Sequence, residues 1–362
     1  MKQLRVPGPT PCPDEVLQAM SLQMINHRGP EFIKMMEGIT AKLKEVFQTG
    51  NDLLVLTASG TGGLEAAVVN MLSPGDKVLV VTIGVFGDRF AAIAKEFGAD
   101  VIKLSTEWGK AADIDAIRKA LQDEPKIKAV MVTHNETSTG VTNDLKTISS
   151  LVKEFDKLLI VDAISSMGSI NLPVDEWHCD VAITGSQKGW MVPPGLTMVS
   201  VSAEAWKAHA QSRMPSFYWD FARAKKSLEK GQTPWTPAVS VLYGLAVSLD
   251  MMLKEGLSNI WARQERIGKI ARDGIKSLGL PLFADEKYAS NTVTAAAGSD
   301  GLDIPRLVKI MREEHGIVLA GGQADLSGKI FRIGHLGWVH EDEIKDVISS
   351  LKVALPQAGF SG

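Results

Sequence analysis

Short apolar runs alternate with amphipathic stretches between residues 50 and 201. The apolar runs predict seven strands, at Asp52–Thr57, Lys77–Ile83, Val101–Leu104, Lys128–Thr133, Leu158–Val161, Val181–Thr184 and Leu196–Val201. The stretches between them predict helices at Gly63–Leu72, Phe86–Phe97, Asp113–Leu121 and Asn143–Asp156. Apolar strands separated by helices indicate an α/β fold, with a mostly parallel seven-stranded sheet and helices on both faces.

The last of these strands follows a tight Pro-Pro-Gly turn at residues 193–195. Parallel neighbours need a long crossover connection, and this turn leaves no room for one. We therefore expect Leu196–Val201 to run antiparallel to the other strands.

The pattern changes beyond Ala203 and predicts a second, smaller unit. A helix at Ala238–Lys254 still belongs to the large domain. The elements of the smaller unit are a helix at Ile260–Leu278, a strand at Thr292–Ala296, a helix from Ile304, a glycine-rich link at 321–322, a strand at Lys329–Ile333 and a terminal helix from Glu341. This order predicts a large domain over residues 15–254 and a smaller C-terminal α+β domain over residues 255–362.

Composition excludes several classes of protein. The chain has 362 residues, 45% of them hydrophobic, and a formal net charge of −3 with no basic block, so we expect no nucleic-acid partner. Its apolar runs fall far short of the roughly 20 residues of a membrane span. No signal peptide is evident, and Cys12 and Cys179 have neither a disulfide framework nor zinc-site spacing. We expect a cytoplasmic protein without a metal site.

Ligands of open α/β sheets collect at the carboxyl ends of the strands. The first predicted strand is followed by small residues at 58–63, which include Ser59, Gly60 and Thr61 and open a helix. Free N–H groups and the helix dipole favour a phosphate there, although a plain glycine-rich turn has the same composition. The spacing is neither a dinucleotide fingerprint nor a P-loop.

Polar side chains also follow other strands of the sheet. Asp162 is a candidate metal ligand, orienting carboxylate or helix cap, and no second acid nearby completes a magnesium site. The loop at 134–140 is either a ligand contact or simply a polar loop. Phe86 is either a stacking ring or a core residue of its helix.

Lys188 follows the strand Val181–Thr184. A single lysine at a strand end is usually solvated, whereas a buried one serves as a Schiff-base amine. The surroundings of Lys188 favour the second interpretation. One edge of the predicted sheet would carry Lys188 together with the phosphate turn, the polar loop and Asp162. A cofactor with a phosphate, a ring nitrogen and an aldehyde would use all of them, and pyridoxal phosphate (PLP) has these groups.

The chain resembles the class V aminotransferases, which are fold-type I PLP enzymes, and in particular the alanine–glyoxylate and serine–pyruvate (serine–glyoxylate) aminotransferases. The resemblance extends from Val6–Thr10 to Arg332–Gly334. Its most specific motifs are Ser59-Gly60-Thr61-Gly62, Asn135-Glu136-Thr137-Ser138-Thr139-Gly140, Val161-Asp162-Ala163 and Gly185-Ser186-Gln187-Lys188.

The resemblance implies a role for each matching residue. Ser59, Gly60, Thr61 and Gln187 would bind the phosphate. Phe86 and Ile164 would pack on the two faces of the ring, Thr137 would contact its hydroxyl side, and Asp162 would pair with its nitrogen. Lys188 would form the Schiff base, Arg332 would hold the substrate carboxylate, and Thr236 would reach the phosphate of a partner subunit. Relatives often have histidine at position 61 and tyrosine at position 233, so finer phosphate contacts differ here.

The resemblance also implies a homodimer with shared active sites and ping-pong transfer from alanine or serine to glyoxylate or pyruvate. The N-terminal segment, residues 1–14, would lie near the active site and the dimer interface, and the small residues around Gly8 suit a small substrate. If His27 and Arg28 enter the site, a phosphoserine or dicarboxylate donor is the alternative. A lyase such as a cysteine desulfurase, and a non-catalytic phosphate-binding module, also stay open.

Overall fold

The computed structural model describes residues 2–361 of the chain. Its strands are β1 (Gln3–Arg5), β2 (Asp52–Leu56), β3 (Lys77–Thr82), β4 (Asp100–Ser105), β5 (Ala129–Thr133), β6 (Asn135–Glu136), β7 (Val141–Thr142), β8 (Leu158–Asp162), β9 (Val181–Gly185), β10 (Thr197–Val201), β11 (Val293–Ala297), β12 (Ile317–Gly321) and β13 (Ile330–Gly334). Its α-helices are α1 (Asp14–Met20), α2 (Pro30–Phe47), α3 (Gly60–Met71), α4 (Val85–Glu96), α5 (Ile114–Asp123), α6 (Leu145–Glu154), α7 (Ala203–Gln211), α8 (Phe221–Leu228), α9 (Val239–Glu255), α10 (Leu257–Ser277), α11 (Ile304–Glu313) and α12 (Glu341–Gln357).

The large sheet has seven strands in the order β2-β10-β9-β8-β5-β3-β4. Only β10 is antiparallel to its neighbours, with Thr197 opposite both Gly185 and Leu56. This confirms the seven-stranded, mostly parallel sheet and the reversed last strand. The turn at 193–195 decides the direction because it is too short for a crossover.

Both faces of this sheet are covered, as the apolar strands predict. In β5, Val130 and Val132 belong to the core cluster shared with α2, α5, α6 and α9. Ala129 and Met131 belong to the cluster shared with α3, α4, α7 and α8. Alternate residues of a strand point to opposite faces, so a strand buried on both sides must be apolar throughout.

The smaller sheet has the order β1-β12-β13-β11 and packs with α10, α11 and α12 around a separate core. It includes two strands that the sequence pattern did not predict. One is β12, which ends at the glycine-rich link, and the other is β1, which pairs in parallel with β12. A three-residue strand is too short to show periodicity, and its pairing partner lies more than 300 residues away.

The N-terminus of α3 lies earlier in the chain than the sequence pattern predicts. The helix begins at Gly60, not at Gly63, and Ser59 is its N-cap. Glycines lower helix propensity, so residues 60–62 have the composition of a turn. The first-turn N–H groups have no acceptor within the helix, and they are therefore available to a ligand.

Nowhere in residues 2–361 does a helix combine the length and the apolar character that crossing a membrane requires.

Candidate active site

A cavity of about 240 Å³ lies at the carboxyl edge of the large sheet. Its walls contain ten of the residues predicted from the sequence, namely Gly8, Ser59, Gly60, Thr61, Phe86, Thr137, Asp162, Ile164, Gln187 and Lys188. The other lining residues are Leu64, Arg89, Asn135, Ser165 and Gln323. The cavity thus joins the ends of β2, β5, β8 and β9 with residues from the N-terminal segment and the smaller domain.

Two of the predicted site residues lie outside the cavity wall. Arg332, on β13, donates from Nη1 to the carbonyl of Thr137 at 2.9 Å and from Nε and Nη2 to the carbonyl of Gly321 at 3.0 and 2.7 Å. It therefore adjoins the cavity wall through the carbonyl of Thr137. Thr236 lines a separate hollow with Tyr218 and Trp235, so it does not contribute to the cavity of its own chain.

One end of the cavity is built around the N-terminus of α3. Ser59 makes no side-chain capping bond, so its hydroxyl is available to a ligand. A Cβ at position 60 would lie 2.5 Å from Cδ1 of Ile164, so any larger residue there would displace the Ile164 side chain. A Cβ at Gly185 would lie 2.9 Å from Oε1 of Gln187 and 3.3 Å from the amide nitrogen of Gly60, which places the Gln187 side chain beside this helix end. These groups suit an anion.

Asp162 ends β8 and is only 3% exposed. Its Oδ1 accepts from the backbone N–H of Ile164 at 2.9 Å, and its Oδ2 accepts from Thr133 Oγ1 at 3.4 Å. Burial raises the pKa of Asp162 to about 7, against the lowering effect of the Ile164 N–H. No α-helix begins at the next residues, so Asp162 is not a helix cap. A cation or a protonated ring facing this carboxylate would stabilise its charged form.

Lys188 is buried, with 9% of its surface exposed. Its Nζ donates to the carbonyl of Pro7. Burial lowers the pKa of Lys188 to about 8, and the nearby charge of Arg332 acts in the same direction, while the charge of Asp162 opposes them. An appreciable minority of this amine is therefore neutral, and so able to act as a base or nucleophile, near physiological pH.

Gly8 forms the wall against which Lys188 packs, and its replacement by alanine is expected to inactivate the site. A Cβ there would lie 2.6 Å from Nζ and 2.7 Å from Cδ of Lys188, and Gly8 has φ +125°. Displacing a reactive group by about 1 Å can cost on the order of 10²-fold in rate. Single-turnover rates of Gly8→Ala measure this loss.

Gly75→Ala is the matched control, because Gly75 also has a positive φ, +82°, but open space around its Cβ position. Gly75→Ala measures the backbone strain alone. Equal rates for the two variants would show that contact with Lys188 is unimportant.

Glu136 is a buried carboxylate to which the sequence reasoning assigned no role. Its Oε2 accepts from the N–H groups of Phe86 at 2.9 Å and Gly87 at 3.1 Å, and its Oε1 accepts from the N–H of Ser138 at 3.0 Å. Burial raises the pKa of Glu136, and these donors oppose the rise. Glu136 thereby fixes the start of α4, which carries Phe86, to the loop that carries Thr137. In the sequence, only the position of Glu136 within the 135–140 motif indicated that it belongs to the site.

Arg89 was also missed, because it lies on an exposed helical position with no motif around it. Its guanidinium carbon lies 4.8 Å from the centre of the Phe86 ring, and Nη1 lies 3.5 Å from Thr61 Oγ1. It adds positive charge at the mouth of the cavity, near the N-terminus of α3.

Arg28 contacts the segment at 233–236 and not the cavity. Its guanidinium donates to the carbonyls of Thr233 and Pro234, on the segment that carries Thr236. Neither Arg28 nor the half-buried His27 lines the cavity.

The two cysteines have the properties of inert thiols. Burial raises the pKa of Cys12 to about 11 and that of Cys179 to about 12. Both thiols are therefore protonated near neutral pH, whereas a nucleophilic cysteine needs a lowered pKa.

Known proteins resemble this chain over nearly its whole length. The sequence profile of the class V aminotransferases matches residues 4–333. A soluble hydrogenase 42 kDa subunit of Anabaena cylindrica is 45% identical, over 98% of this chain and 94% of its own. The serine–glyoxylate aminotransferase of Methylorubrum extorquens is 37% identical, over 98% and 91%. An alanine–glyoxylate aminotransferase of Nostoc sp. superposes with a TM-score of 0.94 at 30% identity, over 98% and 95% of the two chains. The chain belongs to the class V aminotransferase family.

Proposed function

We propose that this protein is a PLP-dependent aminotransferase that transfers the amino group of alanine or serine to glyoxylate or pyruvate by a ping-pong mechanism. The observation that carries the proposal is the buried amine of Lys188, which shares one cavity with the buried carboxylate of Asp162 and an anion-binding helix N-terminus. The similarity to serine–glyoxylate and alanine–glyoxylate aminotransferases supports this class of substrates.

The residues of the cavity fit PLP. Its phosphate would be held by Ser59, Gly60, Thr61 and Gln187. The two faces of its ring would contact Phe86 and Ile164. The hydroxyl side of the ring would contact Thr137, and the ring nitrogen would pair with Asp162. When bound, PLP supplies an aldehyde that receives the amino group and a ring that withdraws electrons. The buried Asp162 suits this role because its negative charge favours a protonated ring nitrogen.

Lys188 would move the proton in both half-reactions. A base works best when its pKa is near the working pH, and the pKa of Lys188, about 8, meets this condition. Its neutral Nζ would take the proton from the α-carbon of the amino acid and would then deliver it, as a general acid, to the carbon that carries the aldehyde group in PLP. The carbonyl of Pro7 accepts a hydrogen bond from this Nζ and so orients it.

Arg332 would bind the substrate carboxylate, so we expect Arg332→Ala to raise the KM of amino acid and oxo acid. A charge-assisted hydrogen-bond pair contributes enough to predict an increase of about 10- to 100-fold. Steady-state kinetics with each substrate varied in turn measure the two KM values. Arg312→Ala is the control, because Arg312 is an exposed arginine of α11. An unaltered KM for both substrates would remove Arg332 from the substrate site.

We further propose a homodimer in which Thr236 reaches the phosphate of the partner's cofactor. Two observations support it: Thr236 does not line the cavity of its own chain, and Phe217, which stacks on the adjacent Trp235, is an exposed apolar side chain, 63% accessible. The molar mass in solution tests this arrangement.

A screen of amino donors and oxo-acid acceptors on the PLP-loaded protein tests the proposed function. Borohydride reduction should also attach PLP to the peptide that contains Lys188, which mass spectrometry detects. Activity confined to phosphoserine or dicarboxylates would change the substrate class, and sulfide release from cysteine would indicate a lyase. A protein that binds no PLP would be a non-catalytic module.

A further inference from the structure

We infer that Gln323 selects the amino donor by accepting a hydrogen bond from a side-chain hydroxyl, so that serine is preferred to alanine. The inference rests on the proposed function, which leaves serine and alanine as alternatives. It concerns a residue of the smaller domain that lines the cavity, two residues after Gly321, whose carbonyl accepts from the arginine proposed to bind the substrate carboxylate.

A tight turn holds Gln323 in this position. Gly321, two residues earlier, accepts from Arg332 through its carbonyl, and the carbonyl of Gln323 accepts from the N–H of Leu326 at 3.0 Å. A Cβ at Gly322 would collide with the carbonyl of Leu326, so the turn closes only with glycine there. Leu326 itself packs in a small apolar cluster with Ile330. Gln323 therefore lines the cavity two residues after the carbonyl that accepts from Arg332.

The side-chain amide of Gln323 is free to bind a ligand. Within residues 2–361, its Oε1 is buried and has no hydrogen-bond partner. Asn135, another amide in the wall, is fully used: its Nδ2 donates to Ser165 and Thr292, and its Oδ1 accepts from Thr142 and Ser290.

The third amide of the wall, Gln187, also has a buried Oε1 without a partner among the described residues. It lies beside the N-terminus of α3, where the cofactor phosphate is proposed to bind. Gln323 is thus the amide of this wall that has an unpaired acceptor and that the proposed cofactor site does not use.

An unpaired buried carbonyl oxygen determines which donor fits. The oxygen can only accept a hydrogen bond, and leaving it unpaired in a closed site is unfavourable. The hydroxyl of serine donates such a bond, whereas the methyl group of alanine does not. A site that hydrogen-bonds a hydroxyl discriminates strongly against the analogue without it.

The ratio of kcat/KM for serine to kcat/KM for alanine tests the inference. We expect the wild-type protein to prefer serine, and Gln323→Leu to lower this ratio by about tenfold or more. The change should fall mainly on the KM of serine, because the hydroxyl does not react. In the reverse direction, hydroxypyruvate should lose its preference over pyruvate by a similar factor, since it has the same side chain as serine.

Two further variants complete the experiment. Gln323→Met is a second apolar replacement of similar length and serves if the leucine variant does not fold. Gln357→Leu makes the same change on the exposed face of α12 and should leave the ratio unaltered. A wild-type preference for alanine, or a ratio in the folded Gln323 variants within twofold of wild type, would overturn the inference. A wild-type protein that transaminates no amino acid would overturn the proposed function and this inference with it.

Discussion

Replacing Lys188 with alanine is expected to abolish transamination, with a loss of at least about 10³-fold in single-turnover rate. Among residues 2–361, no other lysine lines the cavity, so no second amine is present there to replace it. The variant also loses the group whose pKa, about 8, suits it to carry the α-proton. Absorbance changes of the PLP-loaded protein after mixing with alanine or serine measure this rate.

The control for this experiment is Lys157→Ala. Lys157 also donates from Nζ to a prolyl carbonyl, that of Pro125 at 2.7 Å, but it does so outside the cavity. Its loss should leave the single-turnover rate near that of the wild type. Normal turnover by purified Lys188→Ala would mean that the amine has no part in the reaction, and the proposed function would fail.

Replacing Asp162 with asparagine is expected to lower kcat by about 10²- to 10⁴-fold and to change PLP affinity by less than about tenfold. The amide oxygen of asparagine can still accept from the N–H of Ile164, so the local turn survives. The negative charge that favours a protonated ring nitrogen is lost, and one unit of pKa corresponds to about 1.4 kcal/mol. The ring then withdraws electrons less well, which affects the reaction far more than binding.

Turnover and PLP dissociation must therefore be measured on the same preparation. Asp144→Asn is the matched control, because Asp144 caps α6 through the N–H of Thr147 at 3.1 Å and lies on the surface. It shows what the loss of a structural carboxylate alone does. If Asp162→Asn retained the wild-type kcat, Asp162 would be no more than the acceptor that closes the turn at Ile164.

The large sheet could be predicted from the sequence because the patterns that indicate its strands, helices and turns each lie within a short segment. Most of the strands are apolar along their length, the segments between them have helical patterns, and the turn at 193–195 is too short for a parallel connection. Asp162 and Lys188 follow two such strands, and the ends of parallel strands meet at one edge. Their proximity was therefore predictable without any knowledge of packing, and the motifs shared with the class V aminotransferases pointed to the same residues.

The remaining parts of the site depend on contacts between distant segments. Gly8 packs against Lys188 only because β1 pairs with β12 of the smaller domain, and Gln323 enters the cavity only because β12 and β13 bring its turn there. Likewise, a hydrogen bond across almost 200 residues joins Arg332 to Thr137. The periodicity of a segment shows which face it buries, but not which segment covers that face. The sequence by itself therefore determined the sheet and the two central groups, and the tertiary structure decided what surrounds them.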